Sequence, residues 1–339
     1  MRLLVLASHG IAEYDDLRMF SDLGYDVFCP GGYAEPAVPG ETLRPALPNA
    51  PDHPELRALC DEQRDRHAGQ STDFGVVDWA KADLHPKLID WADVIIAHHF
   101  VDTWIGGQWD RFRDKRVVWR TCGQSNPRLE HEMRQYEGLQ IVRYSPAEAR
   151  GFRPLGTFAG QDALIRFGKY PEDYAPWLGD DAVVGNLTQN LDIRGDHCGL
   201  SFWEEATTGL PTRPGGTGSE RLPNGTGELS YTQMLDYLRH IRVFLYMGTQ
   251  PASYTLALIE AMMAGVPVVS RGPRGLWMPP LFEGHEIAVE WANGPKYARD
   301  LLVEYLSKPD REASEINRER AIDLFGIETI GKQWRDFLG

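Results

Sequence analysis

Short, unbroken apolar runs recur along this chain, and between them lie stretches of helical character. In the first half they are Leu3-Leu-Val-Leu-Ala7, Tyr25-Asp-Val-Phe-Cys29, Asp93-Val-Ile-Ile-Ala97, Arg116-Val-Val-Trp-Arg120 and Leu139-Gln-Ile-Val-Arg-Tyr144. A strand without polar alternation has no face that tolerates water, so it must be covered on both sides. Helices that intervene between such strands supply that cover, and the result is a parallel sheet. Tyr14 to Leu23 reads as one covering helix, closed by Gly24. A second set of runs begins near Ala182-Val-Val-Gly185 and passes through breaker-rich loops at 209–218 and 222–227. It continues as a helix from Tyr231 to His240, a strand from Val243 to Met247 and a strand Val266-Pro-Val-Val-Ser270. The expected fold class is therefore α/β, with two doubly wound, Rossmann-like domains. Ligands of such sheets bind outside the carboxyl ends of the strands, here in a cleft between the domains. The Pro-rich, charged stretch from Pro36 to Phe74 has no place in the sheet; it is read as a ligand-contacting excursion or a plain surface loop.

Within the second set, Tyr254-Thr-Leu-Ala-Leu-Ile-Glu-Ala-Met-Met-Ala-Gly-Val-Pro-Val-Val-Ser270 is an apolar helix followed by a buried strand. Ser253 is the expected N-cap, Gly265 the left-handed stop, and Pro267 forbids continuation. Glu260 falls two turns beyond Ser253 on the same face, among Leu256, Ala257, Ile259 and Met263. A carboxylate there is costly to bury unless it binds something. The helix N-terminus, preceded by Gly248-Thr-Gln-Pro-Ala-Ser253, is a seat for phosphate. Amides for an anion and a carboxylate for hydroxyls together suit a sugar nucleotide.

This segment resembles the donor-binding signature of the family-four retaining glycosyltransferases of the GT-B fold. Glu260, Ala261, Met262, Gly265, Pro267 and Val268 match its second half, whereas Ala252 stands where the family has its first Glu. Gly227 to Leu238, Arg242-Val-Phe-Leu-Tyr-Met247 and the closing Phe325 to Leu338 also fit the family pattern. The resemblance implies an N-terminal, acceptor-side domain over 1–165, rejoined by a crossing helix at 325–339, and a nucleotide-sugar domain over 166–324. It implies that Glu260 holds the ribose, and that Gln250, Ser253, Tyr254 and Thr255 meet the diphosphate and sugar. Gly10 represents the Gly-rich loop that faces the diphosphate. Asn186 replaces the family's Arg, and Arg194 stands in for its Lys. The Gly248-Thr-Gln-Pro-Ala-Ser-Tyr254 variant resembles glycosyltransferase-like proteins of bacteriophage-type genomes.

Other candidates sit where strands of the first sheet end. His9 follows the first strand and can hydrogen-bond a phosphate or an acceptor, or cap the next helix. His98 and His99 close another strand; adjacent side chains point to opposite faces, so the two are poorly placed to share a metal. Gln124 occupies the place where relatives set a His near the reacting sugar, and it can donate and accept but cannot act as a base. Cys122 stands beside it with no His close in sequence, so packing is the preferred reading. His9, His98 and Gln124 are the residues expected on the catalytic side.

Two motif absences narrow the chemistry. No Asp-x-Asp and no Gly-x-x-x-x-Gly-Lys-Ser/Thr occurs, which leaves out the usual cation pair of GT-A transferases and ordinary P-loop phosphate transfer. No metal and no cofactor is therefore expected beyond a nucleotide-diphosphate sugar, with a UDP-sugar as the default. The formal charge of −14 argues against a broad nucleic-acid surface. Four scattered cysteines fit a reducing cytoplasm, and no apolar run is long enough to span a membrane. The expectation is a metal-independent, retaining glycosyltransferase. Its acceptor is a glycan, a lipid-linked sugar, a protein or a hydroxymethylated base of phage-type DNA. A sugar-nucleotide epimerase and a non-catalytic sugar-nucleotide-binding protein are the alternatives.

Overall fold

The computed structural model describes residues 1–6, 10–30, 53–66, 84–98, 106–123, 125–249, 252–271, 289–292 and 294–339. They form two compact units, Met1–Arg166 with Gly331–Gly339, and Phe167–Ile330.

The first unit is built on strands β1 (Arg2–Leu6), β2 (Asp26–Phe28), β3 (Val94–His98), β4 (Arg116–Arg120), β5 (Gln140–Arg143) and β6 (Ala163–Leu164). Their order is β2-β1-β3-β4-β5-β6, and every pairing is parallel. Leu4, Leu6, Ile95, Ala97, Val117, Trp119 and Ile141 pack on one face with Leu88, Ile89, Leu129 and Met133 of the helices. The alternate residues Leu3, Val5, Ile96, Val118 and Val142 are equally buried on the other face. That two-sided burial is the reason these strands read as continuous apolar runs. The helix Gly10–Asp22 starts earlier than the sequence reading placed it, and its Phe20 packs edge-on against Trp334 with ring centroids 5.1 Å apart. Within the stretch 36–74, the described part contains a helix, Pro54–Arg66, whose Leu56 and Cys60 join the core.

The second unit holds β7 (Asp181–Leu187), β8 (Thr212–Gly215), β9 (Ile241–Tyr246), β10 (Val268–Arg271) and β11 (Val289–Ala292). Their order is β11-β10-β9-β7-β8, again all parallel. Val184, Val243, Leu245, Met247 and Val269 pack against Trp203, Ala206, Ala298, Leu302 and Tyr305. The helix Tyr231–His240 opens with a capping box, in which Ser230 and Gln233 satisfy each other's backbone amides.

The helix Leu256–Ala264 ends at Gly265, whose φ of +82° is the left-handed stop. Its start corrects the sequence reading. Thr255 rather than Ser253 is the N-cap, in extended backbone and with no side-chain cap bond. Ser253 lies two residues before that cap and is buried.

Candidate functional site

In a doubly wound sheet the binding crevice opens where neighbouring strands send their crossovers to opposite faces. In the second unit that point lies between β7 and β9. After β7 the chain turns through Asn190, at a left-handed φ of 49°, into the short helix Leu191–Arg194 and then Gly195–His197. Arg221 ties this turn down. Its Nε and Nη2 donate to Asp192 at 2.5 and 2.7 Å, and Nη2 also donates to Asn190 Oδ1 at 3.0 Å. Arg194 projects from the same turn into solvent, with a single 3.4 Å bond to Gln189 O. At the end of β9, Thr249 Oγ1 stands 3.7 Å from Cys198 Sγ.

Asn186, which occupies the family's Arg position, faces inward. Its Nδ2 donates to Leu245 O at 2.9 Å, and its backbone amide donates to the Tyr237 hydroxyl at 2.9 Å. It fastens β7 to β9 from within, and burial raises the Tyr237 phenol pKa. The adjacent Gly185 is required because any Cβ would strike Ile241 and the Tyr237 hydroxyl.

Glu260 is 4% exposed, and its Oε1 accepts from Lys169 Nζ at 2.9 Å. Lys169 is equally buried, and its backbone is stitched to the loop ahead of the last helix, with Lys169 N donating to Phe325 O and Ile327 N donating to Lys169 O. The sequence reading put Glu260 on a ligand; the structure gives it a cation of its own unit. Tyr254 packs edge-on to Phe167 at 6.2 Å and against Phe325 at 5.6 Å, with 1% of its surface exposed. It is a core aromatic. Gln250 lies outside the described residues.

In the first unit the corresponding switch lies between β1 and β3. Gly10 opens the helix after β1, while His9, His99 and Gln124 lie outside the described residues. His98, at the end of β3, is fully buried with Nε2 2.9 Å from Asp16 Oδ2. Arg120, at the end of β4, pairs with the same oxygen and lies over the Trp334 ring. Burial works to raise the Asp16 carboxyl pKa, but the charge of Arg120 and the hydrogen bond from His98 outweigh it and hold it below the ordinary range.

One strand further along, Arg143 is fully buried and forks onto Glu130 at 2.6 and 2.8 Å. Glu148, in the first turn of the helix Pro146–Phe152, accepts from Thr121 Oγ1 at 2.6 Å. Burial pushes the Glu148 carboxyl up to about 7, against the pull of Arg143 and the Thr121 bond, with Glu130 adding to the rise. Between the two networks the Cys122 thiol is pushed up to about 12, chiefly by burial, so it is not a thiolate at neutral pH.

Asp16, Arg120, Arg143, Glu148 and Lys169 escaped the sequence reading. A signal was present for two of them. Arg120 and Arg143 each close an apolar strand, the place where a doubly wound sheet presents side chains to a ligand face. Among the described residues no three His, Cys, Asp or Glu side chains gather as a metal site, and no helix is long and apolar enough to cross a membrane.

No family model and no curated protein sequence matches the chain. Solved structures do. HepE from Anabaena, in complex with UDP and glucose, is similar with a TM-score of 0.66 at 14% identity, over 100% of this chain and 99% of that one. Sucrose-phosphate synthase from Thermosynechococcus elongatus matches with a TM-score of 0.66 at 14% identity, over 100% and 98% of the two chains. AviGT4, a glycosyltransferase involved in avilamycin A biosynthesis, matches with a TM-score of 0.54 at 17% identity, over 99% and 96%. Two all-parallel α/β units in one chain, matched from end to end by these enzymes, give this protein the GT-B fold.

Proposed function

We propose that this protein is a glycosyltransferase that moves a sugar from a nucleotide-diphosphate sugar to an acceptor hydroxyl. The observation that carries the reading is the end-to-end likeness to structures solved with UDP and with UDP-glucose, joined to the signature segment from Glu260 to Val268. UDP-glucose is accordingly the first donor to try. The crevice at the carboxyl ends of β7 and β9 is the donor seat in this reading, with the exposed Arg194 and the half-buried Thr255 as polar groups near its rim. The Ser253 and Tyr254 segment contributes shape rather than exposed side chains, since both residues are buried.

The reaction is read as metal-independent and retaining. Charge on the departing diphosphate is then met by helix amides and guanidinium groups. The leaving phosphate accepts the acceptor's proton on the same face of the sugar, so the chain need not supply a base. Glu260 keeps its proposed role toward the ribose only if the donor competes with Lys169 for it. The acceptor is proposed as a glycan, lipid-linked sugar, protein or modified DNA base.

A calorimetric panel of UDP-, GDP-, ADP- and dTDP-sugars, followed by product analysis with a labelled donor, tests the reading. One base should be preferred, and the label should appear in a transferred sugar. Label recovered only as an isomerised sugar nucleotide would establish an epimerase, and binding without any turnover a non-catalytic protein.

A further inference from the structure

Arg271 closes β10, and the register Ser270 to Tyr246 sets it level with Met247 at the end of the neighbouring strand β9. Its side chain does not stay over its own strand. A Cβ built on Gly199 would lie 2.8 Å from Met247 Cβ and 3.0 Å from Arg271 Nη1. The guanidinium therefore reaches across the end of β9 to the loop that follows β7, and so lies over the switch point of the second sheet. Gly199 makes the room: it is the left-handed N-cap of the helix Leu200–Thr207, at φ +81°, and any side chain there would meet Met247 and the guanidinium.

Among the described residues Arg271 has no hydrogen-bond or ion-pair partner, although it is half-buried. Asp196 is an acid to which it is electrostatically coupled. That carboxylate is already engaged by Ser201 through N at 2.8 Å and Oγ at 3.0 Å, the main causes of its lowered pKa. A planar fork of donors above a switch point matches the paired oxygens of a phosphate or a carboxylate, and of these a nucleotide-diphosphate donor brings the phosphates. Of the other cations near the site, Arg221 is consumed by Asp192 and Arg194 projects into solvent from its turn, while the position of the family's Arg is held by the inward-facing Asn186.

We propose that Arg271 grips the diphosphate of the nucleotide donor, a contact that rests on the glycosyltransferase reading above. Binding of UDP, uridine and inorganic pyrophosphate to the wild type, Arg271→Ala and Arg271→Lys tests it. UDP affinity should fall about ten- to a hundred-fold in Arg271→Ala, the range for a charged hydrogen-bonded contact, while uridine binding holds. Arg271→Lys should recover only part, because an ammonium lacks the fork. Equal UDP affinity in wild type and Arg271→Ala overturns the proposal, as does a parallel loss of UDP and uridine. A wild type that binds no nucleotide sugar sinks the donor reading instead. Pyrophosphate then decides for Arg271: binding lost in Arg271→Ala upholds the anion contact, and binding absent or unchanged overturns it.

Discussion

Lys169 and Glu260 form an ion pair inside the second unit, with Nζ 2.9 Å from Oε1 and neither side chain more than 5% exposed. The pair joins the start of that unit to its signature helix across 91 residues of sequence. Removing one member of a buried pair takes the principal counter-charge from the other, at a cost of about 3–5 kcal/mol. Glu260→Gln should therefore lower unfolding free energy by about that amount in urea titration. The double change Lys169→Met with Glu260→Leu should restore most of it, since apolar replacement of a whole buried pair is often neutral. A Glu260→Gln protein as stable as the wild type but weakened in nucleotide binding would return Glu260 to the ribose.

Glu148 should make the first unit sensitive to neutral pH. Its folded pKa of about 7 stands above the ordinary 4.5, so the folded state binds the proton more tightly than the unfolded chain. The associated stability is complete below about pH 4.5 and is lost as pH rises through 7, amounting to about 3 kcal/mol. Denaturation midpoints at pH 5 and pH 8 should differ more in the wild type than in Glu148→Gln. An identical pH profile in both proteins would remove Glu148 as the cause.

Asn186 is assigned to structure, not to the donor. Asn186→Ala takes away the bond to Leu245 O and leaves a buried carbonyl without it. The expected loss is about 1–3 kcal/mol of stability, with the dissociation constant for the preferred nucleotide sugar unchanged. Weakened nucleotide binding at unaltered stability would reverse that assignment.

Turnover should not depend on a divalent cation. The motivation is the missing Asp-x-Asp pair, the acidic couple with which GT-A transferases hold a cation beside a diphosphate. Rates measured with EDTA and with added magnesium or manganese should agree. Activity abolished by the chelator and restored by one cation would defeat this reading.

What the sequence determined is local and periodic. Continuous apolar runs specified strands covered on both faces, and hence parallel sheets; Arg116–Arg120 and the helix Tyr231–His240 were legible to the residue. Gly265 marked a helix end because only a residue without Cβ takes its left-handed backbone at no cost, and there a Cβ would press on Ser314 Oγ at 2.7 Å. The start of that helix was less legible, because Ser253 and Thr255 offer the same capping chemistry and the backbone stays extended through Thr255, whose side chain makes no cap bond. Charge partners were not legible at all. Asp16 meets His98 and Arg120, Lys169 meets Glu260, and Arg271 reaches Gly199 only after crossovers of tens of residues have set strands side by side. A residue's neighbours along the chain fix its propensity and its face, whereas the low-dielectric surroundings that decide which charges must pair exist only once the sheet has assembled.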